Sequence, residues 1–193
     1  VVEIMDAIHE NTIKGMYILG ENPAMSDPDL NHAREALQML DHLVVQDIFL
    51  TETATYADVI FPASAWPEKN GTVTNTNRQV QMGRKALDSP GQAKEDWWIT
   101  NELGKRMGLD WEYKHPKEIY EEMSLTMPSL NNISWERLEN ENSVTYPSKS
   151  PTTPGDEIVF GDKFPNENGK GKFVPASVTA PDEVPDKEFA MIL

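Results

Sequence analysis

Three short apolar runs punctuate the first sixty residues. Met16-Tyr17-Ile18-Leu19 stops at Gly20, Leu43-Val44-Val45 runs into Gln46-Asp47, and Val59-Ile60-Phe61 stops at Pro62. Unbroken apolar runs of this length predict buried strands. Between the first two, Leu30, Ala33, Leu37 and Leu40 recur at helical spacing. They follow Ser26-Asp27-Pro28-Asp29, where Ser26 can cap, Pro28 fits a first turn and Asp29 suits the positive end of the helix dipole. Thr53 to Tyr56 predicts a short helix or turn, and residues 3–8 a helical fragment. Strand, helix, strand, helix, strand is the order of an α/β fold, a parallel sheet with crossover helices.

Beyond Pro62 the pattern is lost. Residues 62–93 are rich in Asn, Thr, Gly and Pro, with no sustained period, and predict a long loop that is either functional or disordered. Residues 95–107 predict a helix, with Ile99, Leu103 and Met107 four apart and Gly108 as C-cap. Trp97-Trp98 is expected to lock that helix onto the sheet. Residues 116–124 predict another helix, opened by Pro116. Seven of the 14 prolines lie between Pro147 and Pro185. Residues 147–187 are therefore expected to be extended, draped or mobile. The expected division is an α/β unit at 1–127 and an irregular, Pro-rich connector at 128–193.

Charge changes the picture in one place. The chain of 193 residues has a formal net charge of −15 and a pI near 4.6. That argues against a nucleic-acid or anionic-membrane binder. Residues 1–60 carry −9, residues 61–114 carry +1, and the remainder −7. Lys69, Arg78, Arg84 and Lys85 fall in a stretch, 69–87, that holds no acid. This basic island is either a solvated loop or a site for an anionic ligand. The absence of cysteine excludes disulfides, thiolate zinc, iron–sulfur ligation and a thiol nucleophile within these residues. No apolar run approaches the ~20 residues of a membrane span, and VVEIMDAIHEN is no signal peptide. Both ends are expected to be cut from a longer chain.

Candidate chemistry is sparse. Gly20-Glu21-Asn22-Pro23 follows the first strand, where open α/β sheets bind ligands, but Gly-x-Gly-x-x-Gly is absent. Asp47 ends the second strand. There a carboxylate can accept from ribose hydroxyls, pair with the adjacent N–H donors of a guanine, or cap the following turn. Thr51 offers a hydroxyl to a ligand or an N-cap, and Asp96 opens a helix. Between them, residues 61–81 combine small residues, amides and cations. His9, His32, His42 and His115 are scattered without metal-ligand spacing, with His42 expected at a helix end. Catalytic and metal-ligating residues are thus expected to be absent from this segment.

Five blocks in order resemble a known family. They are Gly20-Glu21-Asn22-Pro23, residues 45–54 (VQDIFLTETA), residues 57–62 (ADVIFP), residues 66–72 (WPEKNGT) and residues 77–81 (NRQVQ), followed by Lys94-Glu95-Asp96-Trp97-Trp98. Together they are similar to the molybdopterin oxidoreductases of the dimethyl-sulfoxide-reductase type, most of all to formate dehydrogenase alpha (catalytic) subunits. The resemblance runs from about residue 3 to 127 and more loosely onward. It implies a Rossmann-like sheet that precedes a C-terminal barrel. It implies that Gly20, Asn22, Gln46, Asp47, Thr51, Lys69 and Asp96 contact a molybdopterin guanine dinucleotide carrying molybdenum or tungsten. Asn77-Arg78 departs from the commoner Gly-Arg form. The metal-ligating cysteine or selenocysteine, its neighbouring histidine and the iron–sulfur cysteines are implied to lie before Val1. The implied reaction is oxidation of formate to carbon dioxide. The implied partners are the rest of the subunit and electron-transfer subunits, and the expected compartment, from the lack of a signal peptide in this segment, is the cytoplasm. A nitrate-reductase-like relative, a metal-free structural subunit of the complex I type, and a simple nucleotide-binding module are the rival readings.

Overall fold

Gly15–Leu19 (β1), His42–Asp47 (β2) and Val59–Pro62 (β3) form a parallel sheet in the order β1-β2-β3 in the computed structural model, which describes residues 1–178 and 184–191. The register places Ile18 beside Val45 and Val45 beside Ile60. The three apolar runs thus form the three expected strands. Val2–His9 (α1), Pro23–Ser26 (α2) and Leu30–Met39 (α3) cover one face of the sheet. There Ile18, Leu37, Leu43 and Val45 are buried with Ala24 and Ala54, and Met5 and Ile8 meet Ala33 and Ala36. Each large side chain so buried contributes about 1.5–3 kcal/mol.

The start of α3 differs from expectation. Asp29, not Ser26, is its N-cap, accepting from the His32 N–H at 3.1 Å. Ser26 closes α2, with its hydroxyl on the Asn22 carbonyl. His42 opens β2 and ends no helix, because the chain has already turned extended at Leu40.

The region expected to be a loop contains a hairpin. Gly71–Thr74 (β4) pairs antiparallel with Gln79–Gly83 (β5). Asn75 closes the turn, its Oδ1 accepting from the Gln79 N–H, while Arg78 takes a positive φ of 67°. Three of the island's four cations are spent at this hairpin and its flanks. Arg78 donates to the carbonyls of Tyr146 and Asp156, Arg84 to the Glu139 carbonyl and Asn142 Oδ1, and Lys85 pairs with Asp88.

Asp96–Arg106 (α4) and Pro116–Thr126 (α5) are the two expected helices, with Gly108 just past α4 at φ 88°. Trp97 and Trp98 do not seal α4 onto the sheet. Ile99, Asn101 and Gly104 form its buried face, while Trp98 is 41 % exposed over the Lys94 ammonium.

The stretch from residue 128 is not all connector. Trp135–Glu141 (α6) leads into Ser143–Thr145 (β6), which joins β5 in the order β4-β5-β6. Leu130, Ile133, Trp135, Leu138 and Val144 close on Val80 and Tyr120 as a second core. The compact unit therefore runs from Val1 to Asp156. The second unit, Glu157–Leu193, has no helix or strand among its described residues. Its described residues are turns, bends and irregular chain, with Phe160 and Phe164 stacked at 5.6 Å. Its residues 179–183 lie outside the described ones, as do 192–193. No helix among the described residues is long and apolar enough to cross a membrane.

The second core gives a pH prediction. The Tyr120 hydroxyl donates to the Ile133 carbonyl at 2.8 Å, and burial pushes its pKa from 10.0 to about 12. The unfolded chain ionises this phenol first. Stability is therefore intact below pH 10 and falls as pH rises toward 12, by about 2–3 kcal/mol. Urea titrations at pH 8 and pH 11.5 should show a loss about 2 kcal/mol larger in the wild type than in Tyr120→Phe, the remainder coming from other groups with raised pKa such as Tyr17. Equal losses in both would assign the alkaline transition elsewhere.

Candidate functional site

The carboxyl ends of β1 and β2 open into a cavity of about 600 Å³. Its lining brings together Gly20, Gln46, Asp47, Lys69 and Asp96, five of the seven residues expected to form a site. A parallel sheet places its ligand edge there because the strands end together and the chain turns away.

Each element supplies one piece. β1 ends at Gly20, whose N–H donates to the Gln46 carbonyl and whose φ is 65°. Nothing lies within 4 Å of where a Cβ would stand, so the glycine meets a conformational demand and leaves space at the cavity wall. β2 delivers Gln46 and Asp47 to opposite faces. Asp47 Oδ1 accepts from the Phe49 N–H at 3.1 Å, turning the chain out of the strand.

A chain of hydrogen bonds crosses the floor. The Tyr17 hydroxyl donates to Gln46 Oε1, and Gln46 Nε2 donates to Asp96 Oδ1 at 2.7 Å. Asp96 Oδ2 pairs with the Lys69 ammonium, which also donates to the Ser64 carbonyl at 2.9 Å. Gln46 is only 1 % exposed, so both ends of its amide need these partners. Asp96 begins α4, where the helix dipole stabilises its charge. Burial, with the Asp96 charge second, raises the Tyr17 pKa and keeps that hydroxyl a donor.

Asn22 and Thr51 stand outside this lining. Asn22 Oδ1 accepts from the Thr53 N–H and hydroxyl at 3.1 and 2.8 Å, and its Nδ2 donates to Glu52. It ties the turn after β1 to the turn after β2. Thr51 Oγ1 accepts from the Ala54 N–H at 3.2 Å, as an N-cap does. Of the basic island, Lys69 alone reaches the cavity.

Sequence reasoning did not single out Tyr17, Ser64 or the apolar rim. Tyr17 was legible in principle, since it shares a sheet face with Gln46 two strand positions away from Leu19. Ser64 is buried, and its hydroxyl has no hydrogen-bond partner. Phe49 and Trp66, each more than 70 % exposed, stand at the cavity with Ile48.

Known proteins match this chain. Residues 1–106 match the family Molybdopterin oxidoreductase. The chain is 44 % identical over 193 residues to the F420-dependent formate dehydrogenase subunit alpha of Methanocaldococcus jannaschii, covering 99 % of this chain and 28 % of that protein. It is 44 % identical over 183 residues to the formate dehydrogenase 2 subunit alpha of Methanococcus maripaludis, covering 94 % and 27 %. Acetylene hydratase from Pelobacter acetylenicus shares the fold, with a TM-score of 0.62 and 22 % identity over 76 % of this chain and 20 % of that one. The chain thus spans 27–28 % of the length of these two curated relatives. The family match covers more than half of the chain, and it takes in the sheet, the cavity and Asp96: this chain belongs to the molybdopterin oxidoreductases.

Proposed function

We propose that this chain is the cofactor-holding part of the catalytic alpha subunit of a formate dehydrogenase, and that its 600 Å³ cavity grips one molybdopterin guanine dinucleotide. The carrying observation is the convergence of Gly20, Gln46, Asp47, Lys69 and Asp96 on that cavity at the ligand edge of the sheet. The 44 % identity to two formate dehydrogenase alpha subunits supports the choice of substrate.

The residues present fit such a group. The lining offers a cation, two carboxylates, a buried amide and an orphaned buried hydroxyl at Ser64. A ligand rich in both donors and acceptors supplies what that hydroxyl lacks. The exposed Phe49 and Trp66 rings give apolar surface for a planar heterocycle. Asp47 would accept from the paired N–H donors of guanine, and Lys69 would bind an anionic oxygen of the cofactor. Gln46 and Asp96 hold the ammonium in place, and Gly20 lets the backbone approach closely.

When bound, the cofactor with its molybdenum or tungsten supplies two-electron redox chemistry. Formate, losing its C–H bond, yields carbon dioxide, one proton and two electrons, which pass to iron–sulfur clusters held by other segments and on to partner subunits. The residues described here bind and orient, and none of them moves the proton.

The purified native enzyme tests this. Expected are stoichiometric molybdenum or tungsten, guanine nucleotide released on acid hydrolysis, and viologen reduction that depends on formate. Metal and guanine nucleotide without any formate-dependent reduction would overturn the substrate. Absence of both metal and nucleotide would overturn the cofactor role and favour a structural subunit.

A further inference from the structure

Helix α4 turns a second face away from the cofactor cavity. There Trp97, Asn101, Trp111, Tyr113, Glu122 and Met123 line a separate cavity of about 420 Å³. The Trp111 and Tyr113 rings lie 6.4 Å apart with their planes at 51°. Trp111 is seated on α4 at Gly104, where a Cβ would stand 2.3 Å from the ring. A glycine inside a helix costs about 1 kcal/mol relative to alanine, and here it admits the indole. The Tyr113 hydroxyl is turned onto the Glu122 carboxylate, which accepts its proton bond and raises the phenol's pKa.

The lining has a one-sided chemistry. It presents three aromatic rings and a carboxylate, with no lysine, arginine or histidine. Glu122 Oε2 is used by Tyr113, leaving Oε1 to accept. Asn101 is 3 % exposed, and its Oδ1 has no hydrogen-bond partner, while its Nδ2 donates to the Tyr113 carbonyl. A buried acceptor left unpaired is costly, and a donor entering the cavity would relieve it. Aromatic faces attract cations, and a planar guanidinium both stacks on rings and carries five donors. The surface around the cavity agrees in sign, with five carboxylates and two lysines over residues 110–122.

We propose that this cavity binds an arginine side chain of a protein partner, its guanidinium held among Trp97, Trp111 and Tyr113 and hydrogen-bonded by Glu122 and Asn101. The site is independent of the cofactor reading, since it shares no lining residue with the other cavity.

The test titrates acetyl-Gly-Arg-Gly-amide into the purified protein, following tryptophan fluorescence and equilibrium dialysis. The citrulline tripeptide is the neutral isostere, and methylguanidine is the free small cation. Saturable binding of the arginine peptide is expected, roughly 10-fold tighter than either control. Glu122→Gln should weaken it roughly 10-fold, as loss of a charge-assisted hydrogen bond does. Asn101→Leu should weaken it as well, because the free Oδ1 acceptor is gone. Trp111→Phe should reduce the fluorescence response, leaving the part that Trp97 reports. Equal binding of the citrulline peptide, or unchanged affinity in Glu122→Gln, would overturn the cation site. Methylguanidine binding as tightly as the peptide would overturn the protein partner. No saturation by the arginine peptide would overturn the proposal altogether.

Discussion

Arg137→Leu should destabilise the compact unit by about 2–3 kcal/mol, as expected when a buried, multiply hydrogen-bonded cation is removed while its carboxylate partner stays half exposed. The Arg137 side chain is 6 % exposed and uses all three nitrogens. Nη1 donates to the Asn132 carbonyl, Ser148 Oγ and the Ser150 carbonyl at 2.9, 3.0 and 3.1 Å. Nη2 donates to the Thr153 carbonyl at 2.7 Å, and Nε pairs with Glu141 at 2.8 Å. Leucine would keep most of the volume and leave the Asn132 carbonyl without its donor, with the Ser150 and Thr153 carbonyls held by the Ser148 hydroxyl alone or with the Thr153 hydroxyl. The segment 148–156 should then detach from α6, because Arg137 is what holds its carbonyls inward. Urea denaturation measures the loss in stability, and limited proteolysis the detachment. Arg137→Lys should recover less than half of the stability, since an ammonium cannot reproduce the fork. A loss below about 1 kcal/mol in Arg137→Leu would show that the bonds have little net worth.

That network also shows what the sequence could not reveal. The parallel sheet was legible because unbroken apolar runs have few other uses in a short chain. The hairpin 71–83 was not. Thr72, Val73, Thr74, Gln79 and Gln81 are polar or partly exposed, and Val80 alone is buried, so the alternation carries almost no hydrophobic contrast. The stretch at 128–156 was read as connector for a related reason. Its proline content argued for extension, and the buried arginine that gathers those carbonyls has no pattern of its own. Charge, likewise, does not say what a cation faces. Arg78 and Arg84 belong to the same island as Lys69, yet they close backbone carbonyls while Lys69 enters the cavity. The difference follows from the fold. Arg78 and Arg84 flank β5, which lies beside β6, whereas Lys69 follows the short helical turn at Trp66–Glu68 and returns to the start of α4.

Five of the seven expected site residues were found together because they occupy element ends, which topology fixes. Asn22 and Thr51 were read correctly as turn-adjacent, but their side chains satisfy neighbouring backbone and hydroxyl groups. A short polar side chain next to a turn is in competition between local capping and a ligand. No spacing in the sequence decides that competition. The orphaned Ser64 hydroxyl is the opposite case, since the surrounding fold gives it nothing local to bond.

Lys69→Ala and Asp47→Ala should each lower cofactor affinity about 10–100-fold in the whole enzyme, the worth of one charge-assisted contact, and lower cofactor occupancy with it. The two side chains should differ in what they do to the empty protein. Asp47 holds the Phe49 N–H alone, so Asp47→Ala should leave the melting temperature of the cofactor-free form nearly unchanged. Lys69 is bonded to Asp96, and Asp96 to Gln46, so Lys69→Ala leaves a partly buried carboxylate with the amide only. Some destabilisation of the empty fold should follow, on the order of 1–2 kcal/mol. Asp96→Asn removes that carboxylate charge. In the double variant Lys69→Ala/Asp96→Asn the empty fold should regain part of the lost stability, while cofactor occupancy stays low because the cation is still missing. Guanine nucleotide content per polypeptide measures the first quantity, and thermal melting of the cofactor-free form the second. Recovery of both in the double variant would make Lys69 a structural partner of Asp96 alone. Full occupancy in Lys69→Ala and Asp47→Ala would remove both residues from the cofactor, and recovery of stability without occupancy places the ammonium on the ligand.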